Sequence, residues 1–450
     1  MKPISNLTRY ALAVCSAAAM LAGCGGPASS SGPAGTLPSR LAPESRPPSA
    51  SLSKITHVVI IIQENRTVDD LFAFLPGANT RSFGLNSQGQ TVQLQAEPLT
   101  AGYDLGHHHR NWQTEYDNGA MDGFDLDFCK GRSCSSTSAY GYVPQREVQP
   151  YYTMAETYAF GDEMFQTNEG PSFPAHQYLI RGTSAISDGS NFNAEDNPTE
   201  AGGGCDSRAG STVPEIDITN GRENASTYPC FTVTSLPTEL DAANISWRYY
   251  QAKPGAALWN AVDAIEPIWS DKTEYDARVI APSAQILSDI AGDQLPSVAW
   301  VTPTALASDH ASTTDGSGPS WVASIVNAIG KSRYWNDTAI FVTWDDWGGW
   351  YDHVIPPRYN EYELGFRVPL LVISPYAKSA YISHQQHEFG SILKFTEEVF
   401  DLPSLQTTDA RSDDLSDCFN FYAAPAKFKR IAAKYSAKHF LSQPSAEPDD

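Results

Sequence analysis

Basic side chains are scarce in this sequence: 30 Lys and Arg stand against 52 Asp and Glu, a formal net charge of -22. Nucleic-acid binding rests on Lys and Arg neutralising phosphates, so the balance argues against that partner and against loose adsorption to anionic lipid. The seven cysteines include no CxxC pair and do not interleave with histidines, so a zinc knuckle is not expected. There is no internal repeat, and beyond the N-terminus no apolar run approaches the roughly 20 residues of a membrane span. What is present is a chain of 450 residues, 41% hydrophobic, long enough for one large α/β domain or two ordinary ones.

The N-terminus carries a short basic region (Lys2, Arg9) and an apolar stretch that ends in Leu21-Ala22-Gly23-Cys24. Its length and shape are those of an export signal. Leu-Ala-Gly-Cys resembles the bacterial lipobox, which implies lipidation of Cys24; ordinary cleavage without lipid is the alternative. The expected organisation is a signal over 1–23, a Gly/Pro/Ser-rich tether over 24–53, a main domain over 54–440 and a disordered tail over 441–450. The expected location is the bacterial cell envelope, on the periplasmic or outer-surface side or released, with the lipid anchor as the sole membrane contact. Cys15 would leave with the signal. Cys129 and Cys134 are spaced for a small disulfide loop and Cys205 and Cys230 for a larger one, which leaves Cys418 over.

The stretch from Thr338 to Val354, TAIFVTWDDWGGWYDHV, organises the rest. Its β-branched and aromatic run predicts a buried strand, yet the run stops at two adjacent carboxylates, Asp345 and Asp346. Adjacent unpaired acids repel and resist desolvation, and a divalent cation resolves that conflict. A solvated acidic turn is the plainer alternative. A second strand, Ile55 to Ile62, also runs into oxygen ligands, Glu64 and Asn65. Further strands are expected at Ile245–Tyr250, Pro296–Pro303 and Val368–Ser374, and helices at Ala175–Gly182, Pro319–Ile329 and Glu388–Phe400. The segment from about 187 to 237 reads as a loop-rich insertion. Strands alternating with helices predict an α/β fold, a doubly wound and mainly parallel central sheet with helices on both faces.

Parallel strands would collect Glu64-Asn65, Asp309-His310, Asp345-Asp346 and His353 along one sheet edge, where ligands bind in such folds. Ser172 stands at the mouth of the 175–182 helix, either as a cap or as a group facing an anion. Of the consecutive His107, His108 and His109, one or two can point into a site. Hard oxygen ligands suit a divalent metal. A serine beside that metal can act as a nucleophile, with histidines serving the oxyanion or the leaving group. Together these groups fit phosphoryl transfer.

VVIIIQENRTVDDLF, NEGPSFPAHQYLIRGTS, SDHAS, TWDDWGGWYDHV and GFRVPLLVISPYA resemble, in that order, the bacterial phosphoesterase family of secreted phospholipases C and acid phosphatases, a branch of the alkaline-phosphatase-like fold. The resemblance implies one divalent metal ion held by Glu64, Asn65, Asp345 and Asp346. It implies Ser172 as nucleophile, forming a phosphoserine, with His107, His310 and His353 contacting phosphate or leaving group. His107 is chosen from its triplet because Asp104-x-x-His107 matches the family. His176 falls where some members have Arg, which leaves its role open. The substrate would be a phosphate ester, with phospholipid among the candidates. Because phospholipases C of the family often carry C-terminal domains, a compact phosphatase or small phosphodiesterase is the first expectation.

Two other readings compete. Ser172-Phe173-Pro174-Ala175-His176 matches the sulfatase Cys/Ser-x-Pro-x-Arg motif except at its last position. A surface lipoprotein that binds ligands through Trp344, Trp347, Trp350 and Tyr351 without turnover is the non-enzymatic alternative.

Overall fold

The computed structural model describes residues 52–443 apart from 132–133, 200–201 and 256–257. The expected signal, Cys24, nearly all of the tether and most of the tail lie outside the described residues.

Runs of Val, Ile and aromatic residues without polar interruption form strands buried on both faces. They occupy the middle of the central sheet, which has eight strands among the described residues and only partly buried strands at its two edges. The eight are β1 (His57–Gln63), β2 (Ala159–Gly161), β3 (Trp247–Tyr250), β4 (Val279–Ile280), β5 (Val298–Val301), β6 (Thr338–Trp344), β7 (Leu370–Ile373) and β8 (Tyr381–Ser383). The spatial order is β4-β3-β5-β1-β6-β7-β2-β8. β1 lies parallel to both β5 and β6, β3 to β4 and β5, and β2 to β8. Only β7 runs antiparallel to its two neighbours.

Helices cover both faces, as expected. The longer ones are α1 (His109–Tyr116), α2 (Gln149–Thr157), α3 (Ser172–Arg181), α4 (Gly318–Lys331) and α5 (Phe389–Phe400). Side chains three apart on a strand point to opposite faces. Accordingly, Phe341 of β6 meets Phe395 of α5 at 5.0 Å, while Trp344 meets Tyr151 of α2 at 5.1 Å.

The 187–237 segment is more ordered than its composition suggests. Phe192–Ala194, Val213–Asp217 and Arg222–Thr227 form a small antiparallel sheet, and Cys205 is bonded to Cys230. The last of these strands is exposed along nearly all its length, so no alternation marks it in the sequence. Val213, Ile216, Phe231 and Val233 anchor the segment in the main core. Cys129 is bonded to Cys134, and Cys418 is free and buried.

Ile61 is fully buried at the centre of β1. Ile61→Ala is expected to cost about 2–5 kcal/mol, read as a lower denaturant midpoint at unchanged slope.

Candidate active site

The two central strands end in register. Gln63 pairs with Trp344, so Glu64-Asn65 and Asp345-Asp346 leave the sheet side by side. The ladder runs on for one more step, as Asp345 N donates to Gln63 O at 3.0 Å. Asn65 N donates to Asp345 Oδ1 at 3.1 Å. Glu64, Asp345 and Asp346 are all fully buried. Asn65 adopts a left-handed φ of 60°, which Asn tolerates better than most residues. Gly348, at φ 63°, passes so close that a Cβ there would lie 2.4 Å from the Asn65 carbonyl oxygen. Its N–H donates to Asp346 Oδ1 at 2.7 Å and fixes that carboxylate.

Ser172 is the first residue of α3 and does not cap it; Pro171 holds the cap position. The Ser172 Oγ lies 3.3 Å from Asp346 Oδ2 and 3.4 Å from Glu64 Oε2. The loop before it is tied to the chain that precedes β7: Gln166 N and Glu169 N each donate at 3.0 Å, to Phe366 O and Tyr362 O.

The histidine triplet divides three ways. His108 is half-exposed, with Nδ1 2.6 Å from Asp196 Oδ1, and His109 Nδ1 donates to the Glu169 carbonyl at 2.6 Å. His107 turns inward. Its Nδ1 donates to the Leu105 carbonyl at 2.8 Å, so in the neutral ring Nε2 carries the lone pair that meets the Asn65 amide at 3.1 Å. Asn65 then presents N–H to His107 and its oxygen to Glu64 Oε2 and Asp345 Oδ1, each 3.2 Å away. The Asn65 backbone N–H and the Ser172 hydroxyl also meet this group, at Asp345 Oδ1 and Glu64 Oε2. The swapped amide would satisfy the carboxylates but would require a doubly protonated His107. A hard divalent cation satisfies the first arrangement, and Glu64, Asn65, Asp345 and Asp346 fit one, with the Ser172 hydroxyl beside them.

The His310 ring stands edge-on to His107 at 5.7 Å, with Nδ1 on the Ala311 carbonyl at 2.6 Å. His176, one turn along α3 from Ser172, places Nε2 3.3 Å from Glu64 Oε1 and 3.7 Å from Asp345 Oδ2. These are the other oxygens of the two carboxylates, the ones turned away from Asn65. His353 does not join this group. Its Nδ1 is 2.6 Å from Asp69 Oδ2 and its Nε2 3.1 Å from Asn79 Oδ1, beside the Arg367–Asp352 ion pair. The Gly348-Gly349 turn carries the chain away from the carboxylates before His353 is reached.

Two acidic groups around the site went unassigned in the sequence. Asp309 Oδ2 accepts from Tyr151 OH at 2.7 Å and from Trp344 Nε1 at 3.0 Å, and its carbonyl accepts from Arg66 Nε at 2.9 Å. Burial pushes the Asp309 carboxyl up to about 6, with Tyr151, Arg66 and Trp344 pulling back only in part. Glu115 accepts from Trp347 Nε1 at 2.6 Å, and burial followed by the Asp127 charge drives its carboxyl well above the usual range. Asp309 stood in the sequence only as a neighbour of His310 and Glu115 not at all, because both depend on partners distant in the chain.

The Asp309 shift fixes the sign of a pH effect. A carboxyl raised from 3.8 unfolded to about 6 folded takes up a proton on folding between those values, so it lowers stability as pH rises through that window. The cost at neutral pH is on the order of 2–3 kcal/mol. Asp309→Asn keeps an acceptor without the charge. It is expected to raise the unfolding midpoint at pH 7 and to leave it unchanged below the unfolded value, in melts recorded against pH.

A family model described as the Phosphoesterase family matches residues 55–403. The chain is 26% identical over 443 residues to phospholipase C B of Mycobacterium tuberculosis, covering 83% of this chain and 79% of that one. It is 24% identical over 434 residues to non-hemolytic phospholipase C of Pseudomonas aeruginosa, covering 82% of this chain and 58% of that one. Among solved structures it is similar to a protein in the alkaline phosphatase superfamily from Vibrio parahaemolyticus, at TM-score 0.37 and 10% identity, covering 81% of this chain and 70% of that one. With the model matched over most of its length, from the first central strand to just past α5, this chain belongs to the phosphoesterase family.

Proposed function

We propose that this phosphoesterase works through Ser172, with one divalent cation held by Glu64, Asn65, Asp345 and Asp346. The observation that carries the reading is the buried Ser172 hydroxyl, 3.3 Å from Asp346 and 3.4 Å from Glu64 at the open end of a helix. A bound cation there would lower the pKa of a coordinated hydroxyl and screen phosphate charge. The N-terminus of α3 favours the phosphate by its dipole. Ser172 Oγ attacks phosphorus and the bond to the leaving oxygen breaks. His310 stands edge-on beside His107 and, when protonated, would donate to phosphate oxygens and to that leaving oxygen, while His107, its Nε2 lone pair on the Asn65 amide, orients that ligand. Water then releases phosphate or a phosphomonoester from the serine. His353, held by Asp69, is assigned no contact with substrate; it orients the turn that follows Asp346.

Relatives named as phospholipases C favour a phosphodiester with a lipid leaving group over the compact phosphatase expected from length. The departure from the sulfatase motif at His176 disfavours sulfate esters. The two disulfides support an oxidising compartment, in line with export.

His176 grips the far oxygens of two ligand carboxylates, the usual place of an outer-shell donor. His176→Ala is expected to weaken metal binding by roughly 10–100-fold, with partial recovery in His176→Gln, measured by calorimetry.

Hydrolysis of a chromogenic phosphomonoester, its phosphorylcholine diester and an aryl sulfate separates the substrate classes. Ser172→Ala is expected to lose turnover while keeping metal content and melting temperature. Asp345→Asn is expected to lose metal and turnover together. Near-normal turnover by Ser172→Ala would refute the covalent route, and silence on all three substrates would leave a binding protein.

A further inference from the structure

A second group of metal-ligating side chains gathers beyond the end of β8. Ser383 closes β8, and His387 opens the short strand His387–Glu388 that pairs with Met164–Phe165. Asp417 and Cys418 belong to the turn Ser416–Cys418. One ligand atom from each of His387, Asp417 and Cys418 lies within 4.8 Å of the others. His387 and Cys418 are fully buried, and the Asp417 side chain is 11% exposed.

Three features of this group point to a cation. His387 Nδ1 donates to Asp413 Oδ2 at 2.9 Å, which fixes the tautomer and leaves Nε2 facing Asp417 and Cys418. A carboxylate behind a ligating histidine is the usual support of a metal site. Second, Asp417 Oδ2 accepts from Ser383 Oγ and from Tyr381 OH, whereas the buried Oδ1 accepts no hydrogen bond and lies 3.9 Å from His387 Nε2. Third, the single Ser383 hydroxyl proton stands between two acceptors, Asp417 Oδ2 and the His387 Nε2 at 2.9 Å. A second proton on the imidazole would relieve that shortage, but it leaves Asp417 Oδ1 without a hydrogen bond while the Cys418 thiol rests on the Asp417 carboxylate. A divalent ion takes up all three.

We propose that His387, Asp417 and Cys418 form a second, structural metal site for a borderline-soft divalent ion of the zinc type, with Ser383 Oγ or water as fourth ligand. One nitrogen, one oxygen and one sulfur suit such an ion in tetrahedral geometry, in contrast to the oxygen-rich set around Ser172. Binding would exchange the Cys418 thiol proton for the metal–sulfur bond and release that proton. The partly exposed edges of Asp413 and Asp417 give the ion a way in. Once bound, it would join the chain after α5 to the outermost strand of the sheet.

Cobalt reports sulfur ligation directly, and the Ser172 site holds no sulfur. The full chain, stripped with chelator and titrated with Co²⁺, is expected to develop a near-ultraviolet thiolate-to-cobalt charge-transfer band that is complete once both sites are filled and is displaced by Zn²⁺. Cys418→Ser is expected to lose the band and keep its remaining metal binding. A chain with Cys15→Ser and Cys24→Ser, which retains Cys418, is expected to keep it; this arm decides the matter if Cys418→Ser does not fold. No band in the wild type, or a band that disappears with Cys15 and Cys24, would overturn the proposal and leave a His387 imidazolium between Asp413 and Asp417.

Discussion

Glu64, Asp345 and Asp346 emerge from neighbouring strands at the same level and without solvent. Two unit charges about 4 Å apart repel by about 4 kcal/mol even at an effective dielectric of about 20. Desolvation adds to that cost. The rest of the site is arranged around this conflict. Asn65 takes a left-handed backbone to bring its amide between the acids and His107, and Gly348 gives up its side chain to let it do so. Protonation could relieve one carboxylate, but three buried oxygens with a serine hydroxyl beside them suit a cation better than a proton.

The charge arrangement also explains why the histidines around it have different duties. His107 and His310 each spend Nδ1 on a backbone carbonyl and meet edge-on at 5.7 Å, with His107 Nε2 on the Asn65 amide. His176 lies behind the acids, on the oxygens that Asn65 does not reach. An imidazole replaces the arginine of the related sulfatase motif there, and it gives a shorter, single-pointed contact. Asp309 joins the two halves: it is held by the last aromatic of β6 and by Tyr151 of α2, and it carries His310 on its own backbone.

Much of this was legible in the chain itself. Uninterrupted apolar runs that end in acids are strongly patterned, and β1, β5, β6 and the glycine-closed α3 follow them closely. What eluded a linear reading were features fixed by partners far away. Periodicity carries no direction, so nothing in Leu370–Ile373 marks β7 as reversed. His353 follows Asp345-Asp346 closely enough to look like part of the same group, yet two left-handed glycines turn it toward Asp69. Asp309 and Glu115 owe their raised carboxyls to burial, and they are held there by the N–H groups of Trp344 and Trp347, residues dominated in the sequence by their apolar size. Cys418, left over in the pairing expected from the sequence, gains a context only when His387 and Asp417 fold against it.

The reversal of β7 has a mechanical consequence. A strand that runs with its neighbours sends its trailing loop to the ligand edge, whereas β7 sends its leading one. The stretch before Leu370 therefore borders the reaction space, and Tyr362 and Phe366 within it carry the loop that delivers Ser172. Insertions ahead of β7 would reshape the rim and move the nucleophile at once, while insertions after it would emerge at the opposite end of the sheet. The divergence of substrate preference among such chains has a natural place to accumulate there, in a segment whose changes reach the serine through two backbone hydrogen bonds.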